Sequence, residues 1–190
     1  MLFRKDHTKR EFEAEVLPHL DELYRTAVRL LKGNRDEAND LVQDTFVQAW
    51  KSFDRYERGT NARAWLYAIL MNKARHYHRR ITTRKVVPLS DHGDETLLDR
   101  VEGSAPLTAE TISDENILAA LERLSEEHRE VVLLADVQEF SYKEVAEILE
   151  IPIGTVMSRL SRARAGLRSH LHTYAGEFGI GMSKPGGGSE

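Results

Sequence analysis

The chain has 190 residues, with 27 Lys and Arg against 31 Asp and Glu, a formal charge of −4. That length holds one domain or two small ones, and an apolar content of 41% before its 12 glycines are counted excludes a wholly disordered chain. The absence of cysteine excludes a disulfide scaffold, a cysteine nucleophile and a thiolate metal site. With a charged start over Met1 to Arg10 and no apolar run of spanning length, the expectation is a cytoplasmic protein.

Helical periodicity dominates, and the fold class expected is all-α, in two lobes. The opening helical pattern carries Phe12, Val16, Leu20, Leu23, Ala27 and Leu30 at spacings of three and four, with a start or kink at Pro18 and a stop at Gly33. Asn34 and Glu37 have the spacing of a capping box for a second helix running to about Phe53. On it Leu41, Val42, Phe46, Ala49 and Phe53 share one arc, and Asp40, Gln43, Asp44, Val47 and Lys51 share the other. That acidic, glutamine-bearing stripe reads either as solvated surface or as a docking face for a basic partner helix.

A loop with Gly59, Thr60 and Asn61 precedes a third helix reaching Arg80. Here the charge is segregated: residues 54–85 hold nine basic side chains against Asp54 and Glu57, a segment charge of +7. Trp65, Asn72, Arg75, His76 and Arg79 gather on one side of the helix. Rings stack on unpaired bases and cations follow the backbone, so this mixture suits single-stranded nucleic acid, although Trp65 could equally be core. Residues 88–115 hold eight acids against Arg100 alone, a charge of −7, together with Pro88, Gly93, Gly103 and Pro106, and read as a linker that lets the lobes move.

The second lobe opens with a helix whose buried stripe is Ile117, Leu121, Leu124 and Val131, followed by two short helices. Ser141 with Glu144 forms a capping box, and Phe140 with Val145 a hydrophobic staple. That helix ends near Glu150, and a turn over Ile151 to Gly154 leads into a helix from about Thr155, the spacing of a helix-turn-helix. Val156, Leu160, Ala163 and Leu167 share its inner arc, with Ser158, Ser161, Arg162 and Ala165 opposite. Small outward side chains let a helix sink into a major groove, where Arg159, Arg162, Arg164 and Arg168 reach phosphates or guanine edges and Met157 a thymine methyl. The tail from Gly176 is glycine-rich and expected to be disordered.

Metal and enzymatic chemistry find no candidate residues. His76 with His78, and His170 with His172, lie two apart on helices and point in different directions. There is no phosphate-binding glycine loop, no G-x-S-x-G elbow and no H-E-x-x-H, so neither a cofactor nor a metal is expected.

These residues have a family resemblance. Leu23 to Arg80, through Asp40-Leu41-Val42-Gln43-Asp44-Thr45-Phe46, Ala49-Trp50 and Gly59 to Leu66, resembles conserved region 2 of the extracytoplasmic-function (ECF, group 4) sigma factors of bacterial RNA polymerase. Leu118 to Leu171, with Leu124-Ser125, Arg129-Glu130-Val131 and Gly154 to Leu160, resembles their region 4. The stretches Leu134 to Val137, Tyr142 to Glu144 and Pro152 to Leu160 look most like the subgroup that answers thiol-oxidative stress.

The resemblance implies region 2 over residues 1–87, the acidic linker over 88–115, region 4 over 116–175 and the tail over 176–190. It further implies that Asp40, Gln43, Asp44 and Val47 dock on the β′ coiled coil of core RNA polymerase, with the β flap as a second contact. Tyr56, Gly59, Thr60, Asn61, Trp65, Asn72, Arg75, His76, Arg79 and Arg80 would melt and hold the minus-ten element, with a flipped base near the loop. Thr155, Met157, Ser158, Arg159, Ser161, Arg162, Arg164 and Arg168 would read the minus-thirty-five duplex. Ser161 departs from the larger aromatic or histidine side chain of many relatives. An anti-sigma protein is the implied inhibitor, zinc-binding in the resembled subgroup. Any redox sensing would lie in that partner, because this chain has no cysteine. A helix-turn-helix regulator acting on duplex DNA without polymerase is the alternative; it needs neither the Asp40 to Asp44 stripe nor the basic, aromatic third helix.

Overall fold

Pro18 has no amide hydrogen to continue a helix, so the first helical pattern divides there. In the computed structural model, which describes the backbone of residues 2–84 and 114–177 and the side chains of residues 8–79 and 116–171, α1 spans Leu2–Val16. A 3-10 turn over Leu17–His19 carries the break, and α2 spans Leu20–Leu30. The chain leaves α2 through left-handed Lys32 and Gly33, at φ 55° and 79°, a conformation that glycine adopts without strain.

Asn34 caps α3 (Arg35–Ser52), its side chain accepting from the Glu37 amide at 3.2 Å. The Asn34 end of the expected capping box is thus made. A 3-10 turn over Phe53–Arg55 and a short loop lead to α4 (Ala62–Arg84), the long helix of the first lobe. Leu23, Ala27, Leu41, Ala49, Leu66, Tyr67, Leu70 and Met71 are all nearly inaccessible and form the core between α2, α3 and α4.

In the second lobe the first expected helix is two. α5 (Asp114–Arg123) ends at Leu124, and α6 (Glu126–Val132) restarts after Ser125, whose extended ψ of 156° breaks the run. Of the expected stripe Leu121, Leu124 and Val131 are buried, while Ile117, in the first turn of α5, is 41% exposed. A π-helical segment, Leu133–Val137, follows α6. Both halves of the Ser141–Glu144 capping box are present at the start of α7 (Tyr142–Leu149), and both members of the staple, Phe140 and Val145, are buried.

The turn after α7 is shorter than expected, since the next helix already starts at Ile153. Glu150 takes the left-handed conformation at φ 56°, and its amide and that of Ile151 close onto the end of α7. Gly154 lies inside α8 (Ile153–Glu177), a long helix rather than a short one. Val156, Leu160 and Ala163 are buried along α8 and Leu167 packs on the core, as the inner arc requires.

The two lobes are packed together, chiefly through α7 on α4, with α5 and α6 against α2. Asp114 and Glu115, assigned to the linker, open α5, and Gly176 and Glu177, assigned to the tail, continue α8; the rest of both assignments, residues 88–113 and 178–190, and the side chain of Arg80 fall outside the described residues.

Candidate nucleic-acid interface

The loop before α4 is fixed by its own bonds. Tyr56 is buried, stacked on Phe53 at 5.7 Å between centroids and packed on Trp65 at 4.7 Å. Its hydroxyl donates to the Thr60 carbonyl at 2.9 Å, while the Thr60 hydroxyl donates to the Glu57 carbonyl at 2.7 Å. Gly59 turns the chain at φ 84°. Asn61 accepts from the Ala64 amide at 3.1 Å and so caps α4. Tyr56 therefore supports the loop from below, and exposed Gly59, Thr60 and Asn61 form its surface. Trp65 is half-buried, packed against the core on one side and open to solvent on the other.

Along α4, Asn72, His76 and Arg79 are exposed and Arg75 is partly covered. Arg75 is engaged by the second lobe: its Nη2 donates to the Leu149 carbonyl at 3.2 Å, and its Nε lies 3.4 Å from Glu130 Oε1. That ion pair lacks hydrogen-bond alignment, leaving both of those atoms without a bonded partner. Burial dominates Glu130, pushing its carboxyl up to about 7 against the pull of Arg75. The pair sits in a cleft of about 290 Å³ whose lining includes Arg79, Glu126, Glu127 and Arg159.

On α3 the stripe emerges as the sequence placed it: Asp40, Gln43, Asp44 and Lys51 are exposed, and Val47 is 51% exposed. Trp50 extends the apolar strip, with its inner edge against Phe12 at 5.0 Å. An exposed valine and tryptophan beside three acidic or amide groups make an amphipathic surface strip.

On α8, Met157, Ser158, Ser161, Arg162 and Arg168 are exposed, while Thr155 is half-buried. Two of the arginines are tied down. Arg159 meets Glu127 at 2.7 Å, and Arg164 forms a fork with Asp136 at 2.6 and 3.0 Å. Arg162 and Arg168 are exposed, as is Arg164 despite its pairing with Asp136.

Sequence reasoning missed the residues that join the lobes. Arg63 donates to Glu22 at 3.0 Å and to Gln138 at 2.8 Å, and its guanidinium lies 4.3 Å from the Phe140 ring centroid. Gln138 in turn donates to the Thr26 hydroxyl at 3.0 Å, which meets the Tyr67 hydroxyl at 3.0 Å. Burial pushes the Tyr67 phenol up to about 12, so it stays neutral. Arg129, only 2% exposed, donates to the carbonyls of Leu121, Glu122 and Leu124 at the end of α5 and of Leu30 at the end of α2. No short-range pattern announces bonds that span 75 to 112 residues, such as those of Gln138.

Among the described residues no group of three or more His, Asp or Glu side chains is placed to hold a metal ion, and no helix is long and apolar enough to cross a membrane.

Comparison with known proteins agrees with this geometry. The family profile Sigma-70 region 2 matches residues 16–84, and Sigma-70, region 4 matches residues 114–167. ECF RNA polymerase sigma factor EcfG of Rhodopseudomonas palustris is 35% identical over 77% of this chain and 78% of its own. ECF RNA polymerase sigma factor SigE of Mycolicibacterium smegmatis is 34% identical over 85% of this chain, which spans 62% of the SigE length. The sigma factor RpoE of Bartonella quintana, solved in complex with the anti-sigma factor NepR, superposes with a TM-score of 0.67 at 33% identity, covering 86% of this chain and 98% of that one. CnrH in complex with the cytosolic domain of CnrY gives 0.60 at 26% identity, covering 87% and 90%. With both regions in the family's order, the chain belongs to the ECF RNA polymerase sigma factors.

Proposed function

We propose that this protein binds core RNA polymerase in the cytoplasm and directs it to specific promoters, acting by recognition and strand capture rather than as an enzyme. The observation that carries this reading is the coexistence, on one chain, of an exposed amphipathic α3 face, a basic and aromatic α4 and a helix-turn-helix with a small-residue outer arc. A regulator of duplex DNA alone has use only for the last.

The α3 face of Asp40, Gln43, Asp44 and Val47 docks on the polymerase, with Trp50 extending it. These side chains are exposed and hold no core contact, so Gln43→Ala with Asp44→Ala leaves the fold intact. The pair is expected to weaken binding to core polymerase about tenfold, or ~1.4 kcal/mol, in a titration with labelled polymerase. Unchanged affinity removes the docking assignment.

The loop of Gly59, Thr60 and Asn61 with the α4 face takes the melted minus-ten strand, bases stacking where Trp65 offers an edge and backbone passing Arg75, Arg79 and Arg80. Tyr56 supports that loop. On α8, Met157, Ser158, Ser161 and Arg162 face the minus-thirty-five groove, Thr155 and Arg168 flank it, and Arg159 and Arg164 contribute once released from their acidic partners. Arg162→Ala is expected to cost about 1–3 kcal/mol of discrimination between promoter and altered-promoter duplexes. A loss uniform across sequences makes Arg162 a phosphate contact instead. Two solved relatives are in complex with the anti-sigma factor NepR and the cytosolic domain of CnrY, which supports control of this chain by an anti-sigma protein; the setting proposed for that control is a stress response.

A further inference from the structure

The loop that carries Gly59, Thr60 and Asn61 has few ties to the rest of the fold. The Thr60 hydroxyl and amide both donate to the Glu57 carbonyl, within the loop itself. Around Gly59 the space is open, and an added Cβ would meet no atom within 4 Å. Tyr56 and Asn61 anchor the two ends, the first by packing on Phe53 and Trp65 and the second as the α4 cap. Between these anchors, among the described residues, a single side chain of another element bonds residues 57–59. It is Glu11 of α1, whose Oε2 accepts from Arg58 Nε at 3.2 Å and from Arg58 Nη2 at 2.8 Å. The Arg58 guanidinium also lies 5.9 Å from the Phe53 ring centroid, and Phe12 packs edge-on against that same ring at 5.2 Å. Adjacent residues of α1 thus reach both the loop and the ring cluster on which it rests.

The ion pair adds little to the stability of the fold. Its side chains are 58% and 31% exposed, and a pair so open to water contributes at most about 1 kcal/mol. Glu11 also lies before the Sigma-70 region 2 match, which begins at residue 16. A bond that orders an otherwise loosely tied loop acts on what the loop binds, because a loop already ordered loses less entropy when a base is seated. We infer that Glu11 is a positioning residue for capture of the minus-ten strand, fixing Arg58 and with it the backbone of residues 57–60 in the shape that receives a base. Arg58 acts through the loop rather than as a phosphate contact. Residues 54–58 together with Glu11 hold three acids, Glu11, Asp54 and Glu57, against Arg55 and Arg58, a balance that does not draw a phosphate. The inference rests on the strand-capturing role proposed for this loop, and the two fail in different ways.

The test compares Glu11→Gln, Arg58→Gln and the double variant, each assembled on bacterial core RNA polymerase. Fluorescence anisotropy reads the binding of two single-stranded oligonucleotides: the non-template minus-ten strand of a promoter mapped from transcript 5′ ends, and a mixed-sequence strand. Glu11→Gln is expected to weaken the minus-ten strand roughly threefold to tenfold and to leave the mixed strand within about twofold. Arg58→Gln is expected to lose about as much, and the double variant no more than either, because all three remove the same bond. The melting temperature of each free chain is expected to stay within about 2–3 °C of the parent. Equal binding of the minus-ten strand by the parent and Glu11→Gln overturns the inference. So does tighter binding of both strands by Glu11→Gln, the signature of an arginine released to meet phosphate. A melting temperature lowered far enough to account for the loss overturns it as well. If no promoter is mapped, or the parent does not prefer the minus-ten strand to the mixed one, the role of the loop falls and the inference with it.

Discussion

Replacing Arg129 by methionine is expected to lower the melting temperature by roughly 10 °C, or about 3–5 kcal/mol. The guanidinium serves four carbonyls at helix ends: Leu121, Glu122 and Leu124, where α5 stops, and Leu30, where α2 stops. Carbonyls at a helix C-terminus carry the negative end of the dipole, so a buried cation there is neutralised by geometry rather than by a carboxylate bridge. Burial lowers the Arg129 pKa, yet the bonds of 2.8 to 3.0 Å hold the charged form. Methionine fills the volume but removes all four of these bonds at the ends of α5 and α2. Arg129→Lys keeps the charge without the planar fork, and an intermediate loss is expected. A thermal melt of the methionine variant within a degree or two of the parent chain contradicts this account of how the lobes are joined.

The second large effect is a dependence on pH centred at Glu130. Its native carboxyl is raised from 4.5 to about 7 by burial, with Glu126 adding to the rise and Arg75 and Arg159 opposing it. A native state that holds a proton more tightly than the unfolded chain gains stability when that proton is bound. The gain is full below the unfolded value of 4.5 and is lost as pH climbs through about 7. Between those limits the contribution is on the order of 3 kcal/mol. Denaturant melts at a series of pH values should show the chain weakening from mildly acidic to mildly alkaline buffer. Glu130→Gln should flatten that slope and leave the variant the more stable of the two at alkaline pH. Parallel slopes for the two chains contradict the assignment.

How far the sequence disclosed this molecule depended on the range of each interaction. The capping box of Ser141 and Glu144 and the cap at Asn34 are local and appear where their spacing put them. The inner arc of α8 and the exposed stripe of α3 follow from helical period, and burial agrees with both. Where local signals compete, the outcome shifted. Ser125 broke what looked like one helix, and Ile117, counted in its buried stripe, is exposed. Tyr56, grouped with the DNA-facing loop, proved to lie beneath it, because its ring completes the Phe53 and Trp65 cluster.

Residues whose partners lie far along the chain gave no signal. Arg129 and Glu130 look like surface charges in sequence, and only their burial, 2% and 4% exposed, shows that they belong to the lobe junction. Arg63, Gln138 and Thr26 are likewise ordinary until α4 and the second lobe meet. The functional family was legible because its motifs are local; the closed arrangement was not, because it is made of contacts between motifs.

The central claim is tested most directly by adding the purified chain to bacterial core RNA polymerase on genomic templates and sequencing transcript 5′ ends. The account predicts initiation at a discrete set of sites sharing a minus-ten and a minus-thirty-five element. An absence of both polymerase binding and initiation, with tight binding to duplex DNA by the chain alone, contradicts it.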